Sequence, residues 1–228
     1  MSNPLLLVHG GFQGAWIWDR CLNDLKQKFE VYTPTLKGMG NRSSELNANV
    51  GLKDHVDDIC ELIDRLGLKQ LVLLGHSYGG MVIAGVAKRK TNAIVKLVYL
   101  DAVIPRSQES LLDILGPEAR PAFQGEGIIT PFNVNNYGFE TDEQKQWATP
   151  LICAQSTKCF IEGVEVLEKG EAPHIKQVFI HCTKSLPIMI SQAERARSLG
   201  MKVIEIDSPH SPMVTHTKEF TDIILHQI

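Results

Sequence analysis

The chain has 228 residues, of which 43% are hydrophobic and 21% are charged, and its formal net charge is −3. This composition indicates a folded protein with one sizeable core and excludes a disordered or fibrous chain. Acidic and basic residues are interspersed without a basic stripe, so we expect no nucleic-acid partner, no membrane partner and instead a small-molecule substrate.

The N-terminal residues and the cysteines bear on the compartment. The first apolar run, residues 5–8, is too short for a secretory signal, and no apolar run reaches membrane-spanning length. The cysteines are scattered without metal-ligand spacing and are odd in number, which is typical of reduced thiols used in packing. They are Cys21, Cys60, Cys153, Cys159 and Cys182. We therefore expect a cytoplasmic protein with no metal site.

The first hundred residues alternate between strand and helix patterns. Strands are predicted over 5–8, 29–33, 70–74 and 94–100, and helices over 16–28, 54–66 and from the end of the third strand to about 88. The fourth strand is almost continuously apolar, which indicates burial on both faces. This alternation is typical of a parallel sheet covered by helices.

The alternation stops after residue 102 and resumes near residue 176. Prolines and aromatic residues interrupt the intervening stretch, and an excursion of about seventy residues between two strands is typical of a cap over the strand ends. Further strands are predicted over 177–181 and 202–206, and helices over 189–198 and 217–226. The pattern predicts an α/β fold with a doubly wound, mostly parallel sheet of about six strands. Residues 1–102 and 176–228 would form its core, and 103–175 a cap inserted after the fourth strand.

A serine between glycines marks a candidate nucleophile. Residues 75–80 read Gly-His-Ser-Tyr-Gly-Gly, directly after the third strand and before a small-residue helix. A sharp strand-to-helix turn needs small residues two positions before and two after the serine, because the backbone segments nearly touch there. This nucleophile elbow predicts that Ser77 is the nucleophile.

A serine hydroxyl needs a base to take its proton, and the base needs an acid to orient it. His210 lies after the last strand, where loops meet the carboxyl edge of the sheet, and is the candidate base. His9 and His76 flank the predicted catalytic turns and would shape them, and His55 lies on a predicted helix. The other histidines are interpreted as surface or packing residues: His174, His181, His216 and His226.

Backbone amides are the candidate oxyanion donors. The first is that of Tyr78, directly after the nucleophile, and the second that of Gly11 in the His-Gly-Gly turn after the first strand. The aromatic residues near this turn, Phe12, Trp16 and Trp18, are predicted to pack a helix onto the sheet.

Four ordered stretches, residues 9–18, 33–40, 75–80 and 99–102, resemble the α/β-hydrolase superfamily. More closely, they resemble its esterase, plant methylesterase and hydroxynitrile lyase branch. The resemblance implies the α/β-hydrolase fold and a serine, histidine and acid triad, and the function it favours needs no cofactor.

The acid departs from that pattern. In the branch it usually follows the penultimate strand, but residues 181–187 contain no carboxylate, and Ser185 stands near the expected place. Asp101, at the end of the fourth strand, is the preferred substitute, in the way that some haloalkane dehalogenases take their acid from this strand end. Asp207 and a triad without an acid are the alternatives.

The sequence predicts a cofactor-independent serine hydrolase that cleaves a small apolar or aromatic carboxylic ester through an acyl-enzyme. Two alternatives stay open. One is a hydroxynitrile lyase or other base chemistry in the same pocket, although those lyases carry a lysine where this chain has Ser211. The other is a non-catalytic ligand-binding protein. The sequence does not fix the ester or the oligomeric state.

Overall fold

The computed structural model describes residues 3–123 and 127–228, and its strands form two sheets. The strands are β1 (Pro4–Val8), β2 (Glu30–Tyr32), β3 (Leu71–His76), β4 (Ile94–Leu100), β5 (Ile128–Ile129), β6 (Gln155–Ser156), β7 (Lys176–Cys182) and β8 (Lys202–Ile206). Six of them form a parallel sheet in the order β2-β1-β3-β4-β7-β8. The other two, β5 and β6, pair antiparallel.

Helices connect and cover these strands. They are α1 (Leu22–Leu25), α2 (Leu52–Leu66), α3 (Gly79–Arg89), α4 (Leu111–Leu115), α5 (Asp142–Ala148), α6 (Lys158–Ile161), α7 (Pro187–Ser198), α8 (Pro212–Thr215) and α9 (Thr217–Gln227). Short 3-10 segments lie at Ala15–Trp18, Gly40–Glu45, Pro117–Phe123, Val134–Tyr137 and Thr149–Leu151. The doubly wound α/β fold with six parallel strands is confirmed.

The middle strands are apolar because helices bury both of their faces. Every residue of β3 is buried, and so are all the residues of α3 from Gly79 to Ala87. Helix α2 is amphipathic: Val56, Ile59 and Ile63 are buried, while its N-terminus is closed by the Asp54 carboxylate, which accepts the Gly51 N–H at 2.8 Å. These elements fix the position of the turn between β3 and α3.

The strand order determines which loops can meet. The chain goes from β1 outward to β2 and then returns to β3 on the other side of β1, so the order reverses between β1 and β3. In open parallel sheets, ligands bind in the crevice at the carboxyl ends of the strands beside such a reversal. The loops that follow β1 and β3, with Gly11 and Ser77, therefore belong to the same crevice.

The prediction of one continuous helix over 16–28 was wrong. It is divided into the 3-10 segment Ala15–Trp18 and the short helix α1. The N–H and the thiol of Cys21 both donate to the Trp18 carbonyl, at 2.9 and 3.0 Å, which closes a tight turn instead of extending an α-helical ladder. Trp18 is fully buried there, so packing of the indole overrides the helical spacing of the sequence.

Between β4 and β7 the chain forms α4, α5, α6, the β5–β6 pair and 3-10 segments. Phe123, Tyr137 and Phe160 from this stretch are buried in the hydrophobic core. We call residues 103–175 the cap, and the division of the chain into core and cap stays a prediction. Within the described ranges, none of the helices has the length and apolar character that crossing a bilayer requires.

The close approach at the elbow predicts a large cost for a side chain at Gly75. A Cβ there would lie 2.5 Å from the Gly79 carbonyl oxygen. We expect Gly75→Ala to lower the free energy of unfolding by about 3 kcal/mol, because the backbone of the turn cannot yield without moving α3. Urea unfolding measures this loss.

Gly170→Ala is the control. Gly170 has φ +91° but open space around its would-be Cβ. Its substitution should cost only the backbone strain, about 1–2 kcal/mol. Equal losses in the two variants would contradict the steric account of the elbow.

Candidate active site

Ser77 lies in a strained turn between β3 and α3. Its φ is +54°, a backbone conformation that residues other than glycine rarely adopt, and the residue is partly exposed. The Ser77 carbonyl accepts the Gly80 and Val103 N–H groups at 3.0 and 3.3 Å, and its N–H donates to the Leu100 carbonyl at 3.3 Å. The backbone of the turn is thus held by the first turn of α3 and by the end of β4 with the loop that follows it.

Strain of the same kind occurs at two more residues of the crevice. Phe12 has φ +61° and Asp101 has φ +42°. With Ser77, they follow the adjacent strands β1, β3 and β4. Strained non-glycine residues persist where the surrounding structure holds them, and such residues concentrate at functional sites.

Asp101 and His210 form a buried pair. The Nδ1 of His210 lies 2.7 Å from Oδ2 of Asp101, a hydrogen bond that His210 donates in the tautomer with Nδ1 protonated. The other carboxylate oxygen accepts the Cys182 N–H at 3.1 Å, and Asp101 is fully buried. The acid of the predicted triad is therefore in contact with the predicted base, across 109 residues of sequence.

Ser185, near the place where the acid was expected, and Asp207, the alternative acid, lie in different surroundings. The hydroxyl of Ser185 donates to Oδ2 of Asp101 and lies 3.3 Å from Nδ1 of His210. Asp207 is mostly exposed, and its carboxylate pairs with the Lys184 ammonium at 2.9 Å and the Thr183 hydroxyl at 3.0 Å. The structure thus brings Asp101 to His210, with Ser185 as its neighbour, and leaves Asp207 outside the site.

Hydrogen bonding keeps the Asp101 carboxylate charged. Burial alone raises its pKa, but the neighbouring His181 and the hydrogen bonds from His210 and Ser185 outweigh burial and leave the pKa of Asp101 well below its usual range. His181, at the end of β7, places Nδ1 3.6 Å from Oδ1 of Asp101. Sequence reasoning missed this histidine, because its position beside Asp101 depends on the register of β7 against β4, which no local pattern shows.

The glycine turn after β1 touches the elbow. A Cβ on Gly10 would lie 3.1 Å from the Cβ of Ser77, and one on Gly11 would lie 3.6 Å from the Cβ of Tyr78. The two candidate oxyanion residues, Gly11 and Tyr78, are therefore neighbours across the turn. A side chain at position 10 would force the Gln13 amide oxygen, 2.9 Å from that Cβ, to move.

The histidines beside the predicted catalytic turns hold backbone groups. Nε2 of His76 bonds to the carbonyl of His210 at 2.8 Å, with the two rings 4.6 Å apart, and Nε2 of His9 accepts the Leu36 N–H at 3.1 Å. His76 thus connects the elbow directly to the loop that carries His210.

The cap contacts the same loop from the other side. The Ser211 hydroxyl donates to the carbonyl of Tyr137 at 2.6 Å, and a Cβ on Gly138 would lie 2.7 Å from the backbone nitrogen of His210. Gly138 has φ +76°, so both its conformation and the lack of space require glycine.

An aromatic cluster lies over the glycine turn. The Phe12 ring contacts Phe132 at 5.2 Å and Phe160 at 5.5 Å between centroids, and Phe160 lies 5.9 Å from Tyr78. Phe12 therefore packs on the cap, which corrects the prediction that it packs a helix on the sheet. Trp18 does take that packing role, stacked on Phe220 of α9.

Three histidines are kept neutral by burial. Desolvation lowers the pKa of both His9 and His55 to about 4, and that of His76 to about 3. His55 lies with Nδ1 2.8 Å from the Tyr78 hydroxyl and Nε2 2.9 Å from the Lys37 carbonyl. Its neutral ring can accept on one side and donate on the other, which satisfies both contacts.

A strained serine elbow and a buried Asp–His pair on a doubly wound sheet define the class of α/β enzymes with a nucleophile elbow. The model of the alpha/beta hydrolase family matches residues 5–223. The chain belongs to this family.

One curated relative is the carbendazim hydrolyzing esterase of Nocardioides sp. (strain SG-4G), which is 43% identical over 122 residues. The match covers 53% of this chain and 50% of that protein, so it spans about half of each. The similarity agrees with the esterase branch that the sequence motifs indicate.

Solved structures with this fold match almost the whole chain. An extracellular alpha/beta-hydrolase from a Paenibacillus species, described as homologous to tobacco salicylic acid binding protein 2, has a TM-score of 0.80 at 24% identity and covers 98% of both chains. Polyneuridine aldehyde esterase has a TM-score of 0.77 at 22% identity, covering 99% of this chain and 98% of its own. At these identities the likeness establishes the fold alone.

The buried histidines predict a pH dependence of stability. Between pH 6.5 and about 4 the unfolded chain protonates His9 and His55 while the folded chain does not. The unfolded state then binds more protons, so stability must fall as the pH falls through this range. We expect His55→Gln to flatten the slope by up to about 1.4 kcal/mol per pH unit.

Urea unfolding at several pH values between 4 and 7 would measure this slope. His226→Gln is the control, because His226 is exposed. An unchanged slope in His55→Gln would contradict the neutral, buried state of this histidine.

Proposed function

We propose that the protein is a cofactor-independent serine hydrolase of carboxylic esters. The observation that carries the proposal is the 2.7 Å contact between His210 and the buried Asp101 on the loops beside the Ser77 elbow. The family match and the esterase relative support the same reaction class.

The proposed reaction starts with attack of the Ser77 hydroxyl on the ester carbonyl, while His210 takes the hydroxyl proton. Asp101 holds the imidazole with Nδ1 protonated and stabilises the imidazolium. The amides of Gly11 and Tyr78 donate to the oxygen as it becomes anionic. His210 then protonates the leaving alcohol, and a water activated by the same histidine clears the acyl-enzyme.

We propose a small ester with an apolar or aromatic group as the substrate. The aromatic cluster of Phe12, Phe132, Phe160 and Tyr78 supports this choice, since apolar walls favour apolar ligands. The relative named as a carbendazim hydrolyzing esterase makes carbendazim a useful member of a substrate panel.

The lyase and ligand-binding alternatives have weaker support. Ser211 donates its hydroxyl to Tyr137 and supplies no cation that would stabilise a departing anion. A binding protein without catalysis would not need a buried, charged Asp101 against His210. We further propose a cytoplasmic location, in line with the free thiols of the five cysteines.

Replacement of the acid tests the proposed triad. Asp101→Asn should lower kcat by about 10⁴, because the asparagine favours the wrong histidine tautomer and cannot stabilise its cation. The matched control is Asp207→Asn, which changes the nearby exposed aspartate and should leave kcat unchanged. Steady-state hydrolysis of nitrophenyl esters measures both, and the reverse ranking would overturn the assignment of Asp101.

Replacement of the nucleophile tests the reaction class. A fluorophosphonate should add once to the wild-type protein, and peptide mass spectrometry should locate the adduct on Ser77. Ser77→Ala should lose both the adduct and ester hydrolysis, while Ser198→Ala, which changes an exposed serine at the end of α7, should keep both. An unlabelled wild-type protein that releases cyanide from cyanohydrins would favour the lyase, and one that binds ligands without turnover would favour the binding protein.

A further inference from the structure

The loop that carries Gly11 is held by the cap as well as by the sheet. The N–H of Phe12 donates to Oε1 of Gln155 at 2.9 Å, and the carbonyl of Phe12 accepts the N–H of Cys153 at 2.9 Å. The thiol of Cys153 lies 3.4 Å from the carbonyl of Gln13. We call Cys153 and Gln155 the loop clamp.

The clamp acts on a strained residue. Phe12, next to Gly11, has φ +61°, which an L-residue adopts only when other interactions fix it. Both backbone polar groups of Phe12 bond to the clamp. Without these bonds, Phe12 would relax toward negative φ and rotate the peptide groups on either side of it.

Gln155 is the part of the clamp that depends on a side chain. It is buried with 1% of its surface exposed, and a Cβ on Gly11 would lie 3.2 Å from its Oε1. The amide must present its oxygen to Phe12, because its nitrogen would set two donors against each other. Nε2 of the same amide makes no hydrogen bond of normal geometry within the described part of the chain, and its polar neighbour is the Cys159 thiol.

An unpaired buried donor destabilises the fold, so packing alone would favour an apolar side chain of similar length at this position. The contact with Phe12 offers a different reason for the glutamine. We propose that Gln155 is a positioning residue of the cap: by holding the Phe12 amide, it keeps the neighbouring Gly11 N–H directed at the oxygen that becomes anionic. This inference rests on the proposed ester hydrolysis.

The loop clamp would make part of the oxyanion site depend on the position of the cap. The clamp lies at and beside β6, the strand that pairs with β5 within the cap. One half of the oxyanion site then depends on the cap being in place, whereas the other half, at Tyr78, belongs to the core. A displaced cap would leave Ser77 and His210 intact but one donor misdirected.

The test is Gln155→Met, which keeps the length of the side chain and removes the acceptor. We expect kcat to fall by about 10-fold to 100-fold with KM changed less than about twofold, because the lost alignment matters in the transition state. Hydrogen exchange of peptides covering residues 9–14 should accelerate by about tenfold, because the Phe12 amide loses its acceptor.

Gln144→Met is the matched control. Gln144 is also a buried glutamine of the cap, and its Oε1 accepts the N–H groups of Glu140 and Thr141 at 2.9 and 3.2 Å, away from the glycine turn. It should leave kcat and the exchange of residues 9–14 as in the wild type. Equal effects of the two substitutions would show a general loss of cap packing and would overturn the proposal.

Two more variants separate the acceptor from the bulk of the side chain. Gln155→Glu keeps an oxygen in reach of Phe12 and should retain slow exchange of residues 9–14. Gln155→Asn keeps the amide but is one methylene shorter, so it should show the fast exchange of residues 9–14 that is expected of Gln155→Met. It serves as the test if the methionine variant does not fold. Fast exchange in the glutamate variant, or slow exchange in the asparagine variant, would contradict the role of the Phe12 contact.

The exchange measurement does not depend on the reaction. If the wild type hydrolyses no ester, the proposed function fails, and the exchange rates still report whether Gln155 holds the loop. If the wild type is an esterase and Gln155→Met has full kcat, the function stands and the positioning role is wrong.

Discussion

A buried carboxylate imposes the main constraint on this fold. Asp101 has no exposed surface, and a charge in such a place is tolerated only when donors surround it. Those donors come from two separate parts of the chain. The end of β7 and the loop after it supply the Cys182 amide and the Ser185 hydroxyl, and the loop after β8 supplies His210. The need to satisfy one aspartate therefore brings the loops after β4, β7 and β8 together.

The reversal of strand order has a comparable effect on the other side of the elbow. It puts the glycine turn after β1 beside the serine turn after β3. Ser77 lies between the two assemblies, with the Asp101 pair towards β4 and Gly11 towards β1. Different interactions hold the two halves. The first is held by hydrogen bonds to a buried carboxylate, and the second by close backbone contact at the glycines and by the bonds from the cap to Phe12.

Much of this arrangement could be predicted from local patterns. The six sheet strands and helices α2, α3, α7 and α9 have hydrophobic runs or periodicity that packing reinforces, and the elbow requires glycines at fixed spacing. The 16–28 segment shows the limit of periodicity, because burial of Trp18 and the hydrogen bonds of Cys21 replaced one helix by two short pieces.

The candidate site, like the fold, could be predicted only in part. Ser77 and His210 could be identified from a motif and from chain order, and Asp101 only as one of several options, since nothing local distinguishes it from Asp207. Ser185 as a donor to Asp101, His181 beside it, and Gln155 on the Phe12 amide were not predictable, because each contact joins residues far apart in sequence. The domain division and the catalytic roles stay predictions.

The central claim is that Ser77, His210, Asp101 and the amides of Gly11 and Tyr78 act on one substrate carbonyl. A crystal structure of the protein after reaction with a fluorophosphonate tests it most directly, because the phosphoryl oxygen imitates the oxyanion. The account predicts a bond from phosphorus to Oγ of Ser77, the phosphoryl oxygen about 2.7–3.1 Å from both amide nitrogens, and His210 still paired with Asp101. Phosphorus on another residue, or a phosphoryl oxygen directed away from both amides, would contradict it.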